Sequence, residues 1–570
     1  MSQFLTTHRL RLTPLSPIHI GCGEDFEPTN YVIEDGWLYG FDPSRAALND
    51  AQRDKLMAVA RRGSLPGIQA FFRDHAGAFK THAYVVMPVC AGVAREYEKR
   101  IGKAANVEAD GNQVFNKLEI ERHVYTGALQ QPFIPGSSFK GALRTAWLDD
   151  LNDKRKPHDV EFKRNGEAKS SAAMEKRLLQ GDFQTSPLRL LKVADLMPTR
   201  EPEREVLFAV NRKKQRVMKD GREAQPKGIA ARKDCILPGQ YRLFAADVTL
   251  PALLRQTGAV DGKGQALTPH AEQLTNQGSV DLKRLAQQSN TYHRQRLSQE
   301  LAVLDGRGLV CPDWKRGIEA LINELDQQLE AGSAFLVRLG RYGGADSKTL
   351  TGEGVASIKI MGARGSSPTF ASTTKTVWLA AQVEDDQKHL IPFGWAVVEI
   401  DPQGDCAALQ QWCREQSHGR LDMAEQRAQL QTLRQEAAAQ KARMQAEAAT
   451  RAEAVEAERI AAEQRAQALA KMTEQARQIE ELRQACEDWA GKLPPHGNYK
   501  TQPADANKSG LYQDANRLVK TALQENSGWN ANDKASLADM LEKCLPQAIA
   551  PWDAKEQRKK LQFAKLRGAA

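Results

Sequence analysis

The sequence predicts an α+β fold: two ferredoxin-like halves with helical insertions, followed by a long α-helical rod and a small all-α module. Three observations carry that reading. Two strand-rich stretches each hold a glycine turn beside basic residues, at residues 17–23 in the first and 339–344 in the second. Residues 420–490 contain not one Gly or Pro and are dominated by Ala, Glu, Gln and Arg. A linker bearing Pro494, Pro495, Gly497 and Pro503 then precedes three short helical patterns. The expected boundaries are residues 1–200 and 201–403 for the two halves, 404–491 for the rod and 492–570 for the module.

In chain order, residues 4–15 alternate as a strand does, with Leu5, Leu10 and Leu12 among Thr, His and Arg. After the first glycine turn, Tyr31-Val32-Ile33, the turn Glu34-Asp35-Gly36 and Trp37-Leu38-Tyr39 read as a hairpin. Residues 44–80 have a helical pattern and 81–88 a strand pattern, while 91–116 are polar and glycine-punctuated. Short strands are expected at 119–125, 188–196, 206–210 and 241–250, and a charged loop at 154–171. Helices follow at 274–304 and 314–329, the second with Ile318, Leu321, Ile322, Leu325 and Leu329 in a three-to-four rhythm. Strands at 334–339, 376–381 and 394–400 complete the second half.

Unbroken, the Gly- and Pro-free segment makes a rod of roughly 105 Å. Leu430, Leu433, Ala437 and Met444 keep a heptad, as do Leu469, Met472, Ala476 and Ile479, but the middle is alanine. An isolated charged helix, an antiparallel hairpin and a coiled coil all fit. In the module, Asn532 is the expected cap of the middle helix. Leu518, Val519, Leu523, Leu537, Met540, Leu541, Trp552, Leu561 and Phe563 are its expected core. Its last helix carries Lys555, Arg558, Lys559, Lys560, Lys565 and Arg567, a solubilising face or a second nucleic-acid surface.

The charged fraction of 26% and hydrophobic fraction of 41% describe a soluble globular chain, and the net charge of +9 favours a polyanionic partner. The eight cysteines form no C-x-x-C pair and have no His at metal-finger spacing, so reduced thiols in a cytoplasmic protein are expected, with no metal and no cofactor. No apolar run approaches the ~20 residues of a membrane span.

The stretch that organises the chain is Phe133-Ile134-Pro135-Gly136-Ser137-Ser138-Phe139-Lys140-Gly141-Ala142-Leu143-Arg144-Thr145-Ala146-Trp147. Pro135 and Gly136 make a turn, Ser137 or Ser138 can cap the helix that follows, and Lys140 and Arg144 fall at i and i+4 on one face. Helix N-terminal amides with two cations beside them suit a phosphate, although a capped surface helix packing Leu143 and Trp147 inward has the same pattern. Residues 211–234 add nine Lys or Arg against three acids, a loop that follows a phosphate backbone or is simply solvated. At 339–349, Gly340, Gly343 and Gly344 permit close backbone approach, with Arg338, Arg341 and Lys348 supplying charge. The G-K-[ST] ending of a phosphate-binding NTPase loop is missing, so nucleotide hydrolysis has no support.

The segment from Ile134 to Thr145 resembles the glycine-containing motif of the RAMP superfamily of CRISPR proteins, close to "IPGSSxKGAxRT". Three more segments are similar to those of one group within it, the fifth subunits of type III-A (Csm) effector complexes. They are Leu15-Ser16-Pro17-Ile18-His19-Ile20-Gly21-Cys22-Gly23-Glu24, Leu190-Leu191-Lys192-Val193-Ala194-Asp195, and Leu339-Gly340-Arg341-Tyr342-Gly343-Gly344-Ala345-Asp346-Ser347-Lys348-Thr349. In the second, Lys192 and Ala194 stand where the group has Arg and Ser. The resemblance covers roughly residues 1–400 and leaves the last 170 without a counterpart.

The resemblance implies an RNA-binding, non-catalytic subunit of an antiviral ribonucleoprotein that caps the 3′ part of the crRNA. Its partners would be the crRNA, the repeated backbone RAMP subunit, the small helical subunit and host nucleases that trim the crRNA. Phosphate contacts are expected from Lys140, Arg144, Arg341 and Lys348, with Lys192 and Arg338 beside them and Ser137 and Ser138 at the helix start. Gly21, Gly23, Gly136, Gly141, Gly340, Gly343 and Gly344 would shape the turns. His19 is an RNA contact, a packed histidine or a catalytic base. The competing class is a RAMP endoribonuclease, for which His19 needs an acid partner such as Tyr31 or Lys140, or Asp25 a divalent ion.

Overall fold

The computed structural model describes residues 5–569 except 47, 108–112, 128–129, 157–170, 180–185, 220–221, 224–229, 252–279, 363–364, 366, 422, 492–506, 508 and 550–551. The expected charged loop at 154–171 and the Pro/Gly linker lie mostly outside the described residues, as does part of the basic loop at 211–234. The chain divides into two compact units, Met1–Ala437 and Ala438–Ala570.

The first unit is built on two six-stranded sheets. One runs Lys192–Val193, Phe244–Pro251, Leu5–Pro14, Trp395–Ile400, Ala334–Arg338, antiparallel throughout, with Met197–Pro198 also pairing onto Phe244–Pro251. The other runs Gly21–Phe26, Ile120–His123, Ala231–Ile236, Arg204–Lys213, Thr376–Ala381, Ile391–Pro392, parallel only between its second and third strands. Each sheet takes strands from both sides of residue 200. The N-terminal strand is the clearest case, since Leu10 pairs with Ala246 on one side and Ile400 on the other. Local pattern finds such strands but carries no information about which distant strand completes the ladder.

Side-chain alternation sorts the two faces of the first sheet. Phe335 and Val337 join Leu10, Leu12, Phe244 and Val398 in a core shared with Phe139 and Leu143 of the motif helix Gly136–Asn152 and Leu282 and Leu285 of the helix Leu282–Gly306. Leu336, Trp395 and Val397 face the other way, into a core with Trp314, Ile318 and Leu321 of the helix Pro312–Glu324 and Phe208 of the second sheet. A third sheet, Tyr31–Glu34, Trp37–Phe41 and Ala83–Pro88, packs its Phe41 in one core with Phe71 and Phe72 of the helix Leu65–Asp74 and Phe79 of the helix Ala76–Lys80. Its hairpin turns at Asp35 (φ 51°) and Gly36 (φ 78°), the two left-handed positions of a type I′ turn. The stretch 91–116, polar in sequence, folds as the helix Ala91–Arg100 and strands Ala104–Val107 and Gln113–Phe115. Val93 and Tyr97 bury one face of that helix while its charges stay outside.

The Gly- and Pro-free segment is not one rod. It forms the helix Met423–Ala470 and, after a break, Glu474–Gly491, whose first turn is held by Thr473 O accepting from Arg477 N–H at 2.8 Å. Leu430 alone is buried in the longer helix, so its alanine-rich part has no packed face. The second unit draws Leu482 and Cys486 of Glu474–Gly491 into one core with Val519, Leu537, Met540, Leu541, Leu561 and Phe563, so the module begins before residue 492. Leu518, Leu523 and Trp552 pack at its margin. The cap of the helix Ala531–Ala548 is Asn530, accepting from Asp533 N–H at 2.8 Å, and not Asn532.

Three histidines lie in the interior of the first unit with ring nitrogens that bond no partner, namely His19, His123 and His293. Burial holds them at about 4, 3 and 3, below the ordinary 6.5. Below pH 6.5 the unfolded chain takes up three protons that the folded chain refuses. Their contribution is therefore intact above pH 6.5 and is lost as pH falls toward 3, by about 2 kcal/mol each at pH 5. Urea unfolding at pH 7.5 and pH 5 checks this, with the midpoint expected to fall sharply at pH 5.

Candidate nucleic-acid interface

The N-terminal strand leaves the first sheet at Pro14, and the segment after it crosses to the second sheet, which it enters at Gly21. The crossing is tied on every side. Leu15 and Ser16 N–H donate to Trp395 O, Ile18 exchanges two backbone bonds with Ile236, and Pro17 O accepts from Gly394 N–H at 2.9 Å. Gly340 lies against this segment at φ 83°, ψ −176°, a conformation open to glycine. A side chain there would collide with His19 O. The two glycine turns, some 320 residues apart in sequence, thus form one junction between the sheets.

His19 belongs to the interior of that junction. It is 2% exposed, its Nδ1 sits 2.8 Å from Asp234 O, and its Nε2 is 3.6 Å from Glu121 Oε1. Glu121 is bonded by Lys233, and Asp234 by Arg204 and by His123 N–H. Burial lowers Lys233 to about 8. His19 is therefore a packed, neutral histidine and not a surface RNA contact. Arg338 is also placed inside rather than at the surface. Its guanidinium donates to Phe393 O at 3.0 Å and Glu300 Oε1 at 2.8 Å and lies 4.9 Å from the Trp395 ring centroid. What remains exposed at this loop is Arg341 and Lys348, on two short 3-10 turns, Arg341–Gly343 and Ala345–Lys348. Gly343 is buried against Arg338, and Gly344 turns the chain at φ 70°. Gly21 pairs with His123 across the ladder, a Cβ there would meet the Glu121 carboxylate, and Gly23, at φ 84°, stands in open space.

Asp346, inside the second loop, holds it in place. Its carboxylate accepts from Lys214 Nζ at 2.8 Å, from Thr374 N–H at 3.0 Å and from the Thr374 hydroxyl. Burial opposes its ionisation, but Lys214 and Thr374 together hold it below the usual carboxylate range. An Asp346→Ala variant is expected to lose about 2–3 kcal/mol of local stability. Faster hydrogen exchange at 341–349 with little change in the first sheet would check it.

The motif helix begins differently from its sequence pattern. Its N-cap is Pro135, no side chain caps it, and neither Ser137 nor Ser138 does so. Asp195, from across the groove, accepts from Gly136 N–H at 2.7 Å, while Ile134 and Leu196 exchange two backbone bonds. A Cβ at Gly136 would sit 2.8 Å from both Val193 O and Ala194 O, so only glycine allows this approach. The N–H groups of Ser137 and Ser138 have no partner among the described residues. Ser137 opens on a groove of about 470 Å³ lined also by Gly136, Lys140, Lys192, Asp247 and Thr249. Lys140 Nζ donates to Leu191 O at 2.8 Å, and burial, with Lys192 nearby, lowers its pKa. Lys192 is exposed, with no ion pair among the described residues.

Arg144, one turn further on, does not join this groove. It faces Glu175 of the helix Ser171–Leu178 at 3.5 Å. Gly141 sits on the helix with nothing within 4 Å of a Cβ position, so no close approach requires it. The structure thus brings together Gly136, Ser137, Lys140 and Lys192 at one groove, with Ser138 next in the first helical turn, and Gly340, Arg341, Gly343, Gly344 and Lys348 at the sheet junction. Asp195, Asp247 and Thr249 escaped sequence reasoning as site residues. Nothing in the local pattern around Asp195 signals that it accepts from a helix-start amide 59 positions earlier.

The RAMP superfamily model matches residues 11–252. A curated relative from Methanocaldococcus jannaschii, "CRISPR system Cms protein Csm5", is 23% identical over 201 residues, 33% of this chain and 42% of that protein. The alignment thus spans less than half of the relative's length. Among solved structures, T. onnurineus Csm5 matches at 16% identity, covering 68% of this chain and 99% of that one, with a TM-score of 0.38. A chain of a Csm–crRNA–target RNA ternary complex of a type III-A CRISPR-Cas system matches at 17% identity, covering 69% and 100%, with a TM-score of 0.39. Residues 11–252, the stretch similar to the RAMP superfamily, hold the first glycine turn, the motif helix and the groove at its start.

Proposed function

We propose that this chain is an RNA-binding structural subunit of a type III-A CRISPR ribonucleoprotein that caps the 3′ part of the crRNA. The observation that carries the reading is the groove at the start of the motif helix. The free N–H group of Ser137, the positive end of a helix dipole and the side chains of Lys140 and Lys192 line one space suited to backbone phosphates. Arg341 and Lys348 extend the cationic surface at the second glycine loop. Such contacts read the backbone and not the bases, so binding is largely independent of sequence and sensitive to salt. The similarity to the Methanocaldococcus jannaschii protein supports the choice of complex. A backbone RAMP subunit and a small helical subunit are the partners this reading requires, with trimming nucleases acting on the exposed crRNA end.

The chain binds RNA on this reading and does not cut it. The histidine best placed by sequence to act as a base is buried, neutral and held by a backbone carbonyl. Expression with the neighbouring CRISPR genes, purification through a tag on this subunit and sequencing of the copurifying RNA tests the proposal. crRNA with ragged 3′ ends, shortened or lost when Lys140 and Lys192 are both replaced by alanine, is the expected result. Protein free of RNA, or cleavage of repeat RNA by the purified chain, overturns it.

A further inference from the structure

The three-stranded sheet of the first unit has an outer edge that is open at Val86, while Ala83 O at its start accepts from the Arg434 guanidinium. Its strand Ala83–Pro88 pairs on one side with Trp37–Phe41, and Val89 N–H donates to Gly36 O at 2.9 Å. Bonded pairs alternate along an antiparallel ladder, so Met87 faces Leu38 while Val86 turns its N–H and C=O outward. Opposite, the strand Arg204–Lys213 presents Arg204 in the same way, because Ile236, its neighbour in the ladder, spends both backbone groups on Ile18. Among the described residues nothing bonds the outward backbone groups of Val86 or Arg204. The two edges meet where Cys90 N–H donates to Val206 O at 3.0 Å, and from there they diverge around a cleft of about 500 Å³.

The charge of the cleft is unbalanced at one point. Glu201 is paired with Arg427 and Glu203 with Arg420, each at 2.8 Å. Glu205, half-buried between them and bonded by Gln382, has no cation in ion-pair contact among the described residues, and burial pushes its carboxyl up to about 7. A carboxylate in low dielectric without a counter-charge is costly, and a cation brought to it recovers that cost.

We infer that this cleft takes an extended peptide from a partner protein, which adds as a strand between Val86 and Arg204 and places a Lys or Arg side chain on Glu205. Main-chain bonds to the two edges supply affinity, and Glu205 supplies selection for the cation. Exposed Leu421, on the rim, covers the apolar side of the inserted strand.

The test uses the full chain and a fluorescein-labelled nine-residue peptide of alternating Thr and Val with one central Lys, followed by anisotropy. A second peptide carries norleucine in place of Lys. Saturable binding of the Lys peptide is expected, weakened at least tenfold by norleucine, by Glu205→Gln and by Val86→Pro. Proline is tolerated on an edge strand at an outward N–H and removes that donor alone, so the fold survives. RNA binding by both variants should be unchanged, which separates this inference from the proposed function. Absence of binding, or equal binding of the two peptides, overturns it.

Discussion

A Gly340→Ala variant is expected to lose about 3 kcal/mol or more of stability. The residue sits at φ 83°, ψ −176°, where an L side chain is strained by roughly 1–3 kcal/mol. Its Cβ would also enter the His19 carbonyl oxygen, and that carbonyl cannot retreat. Ile18 is bonded in both directions to Ile236, and Pro17 O accepts from Gly394 N–H. Gly23 gives the control. It has nearly the same φ, 84°, but nothing within 4 Å of a Cβ position, so Gly23→Ala should cost only the conformational part. Urea unfolding of both variants measures the clash directly as the difference between their midpoints. Equal midpoints would mean that the two glycine turns do not form a rigid junction.

The second large effect concerns binding. Replacing Lys140 and Lys192 by alanine should lower affinity for single-stranded RNA roughly tenfold at ~0.15 M salt and flatten the plot of log K against log salt by about 1.4. Each phosphate contact contributes about 0.7 to that slope on a single strand, and two are removed. The loss should be similar for unrelated RNA sequences, because the groove offers amides and ammonium groups and no surface shaped to a base edge. Arg144→Ala is the contrasting variant. Its guanidinium faces Glu175 and not the groove, so its removal should leave the slope within error. Filter binding from 50 to 300 mM salt distinguishes the two.

The α+β class, the type I′ hairpin, the helix at 314–329 and most of the terminal core were legible because each is written in local pattern. Ile318, Leu321, Leu325 and Leu329 bury as their rhythm requires, although the helix is split at Leu325. What was not legible depends on partners distant in sequence. The N-terminal strand completes its ladder with strands about 240 and 390 residues away, so a division into halves at residue 200 does not divide the sheets. The motif helix looked capped by its own serines, yet its first amide goes to Asp195, and the serine amides are left free. That difference makes the groove more receptive to an anion than the sequence pattern implied. Arg144 was expected to contact a phosphate, with Arg338 adding charge at the second glycine loop, and each is paired with a carboxylate that only the fold brings near. For His19 the sequence left an RNA contact, a packed histidine and a catalytic base open, and the second glycine loop, distant in sequence, packs against it. The long helix illustrates the opposite limit. Its sequence fixed helix and little else, since an alanine-rich surface without large apolar residues specifies no packing partner.

The measurement that bears most directly on the central claim is ultraviolet crosslinking of the purified complex, followed by mass spectrometry of RNA-bearing peptides. The groove and the second loop predict crosslinks in the peptides spanning 136–140, 191–194 and 341–348, lost from the first two when Lys140 and Lys192 are alanine. Crosslinks confined to the second unit, with none at the motif helix, would contradict the account.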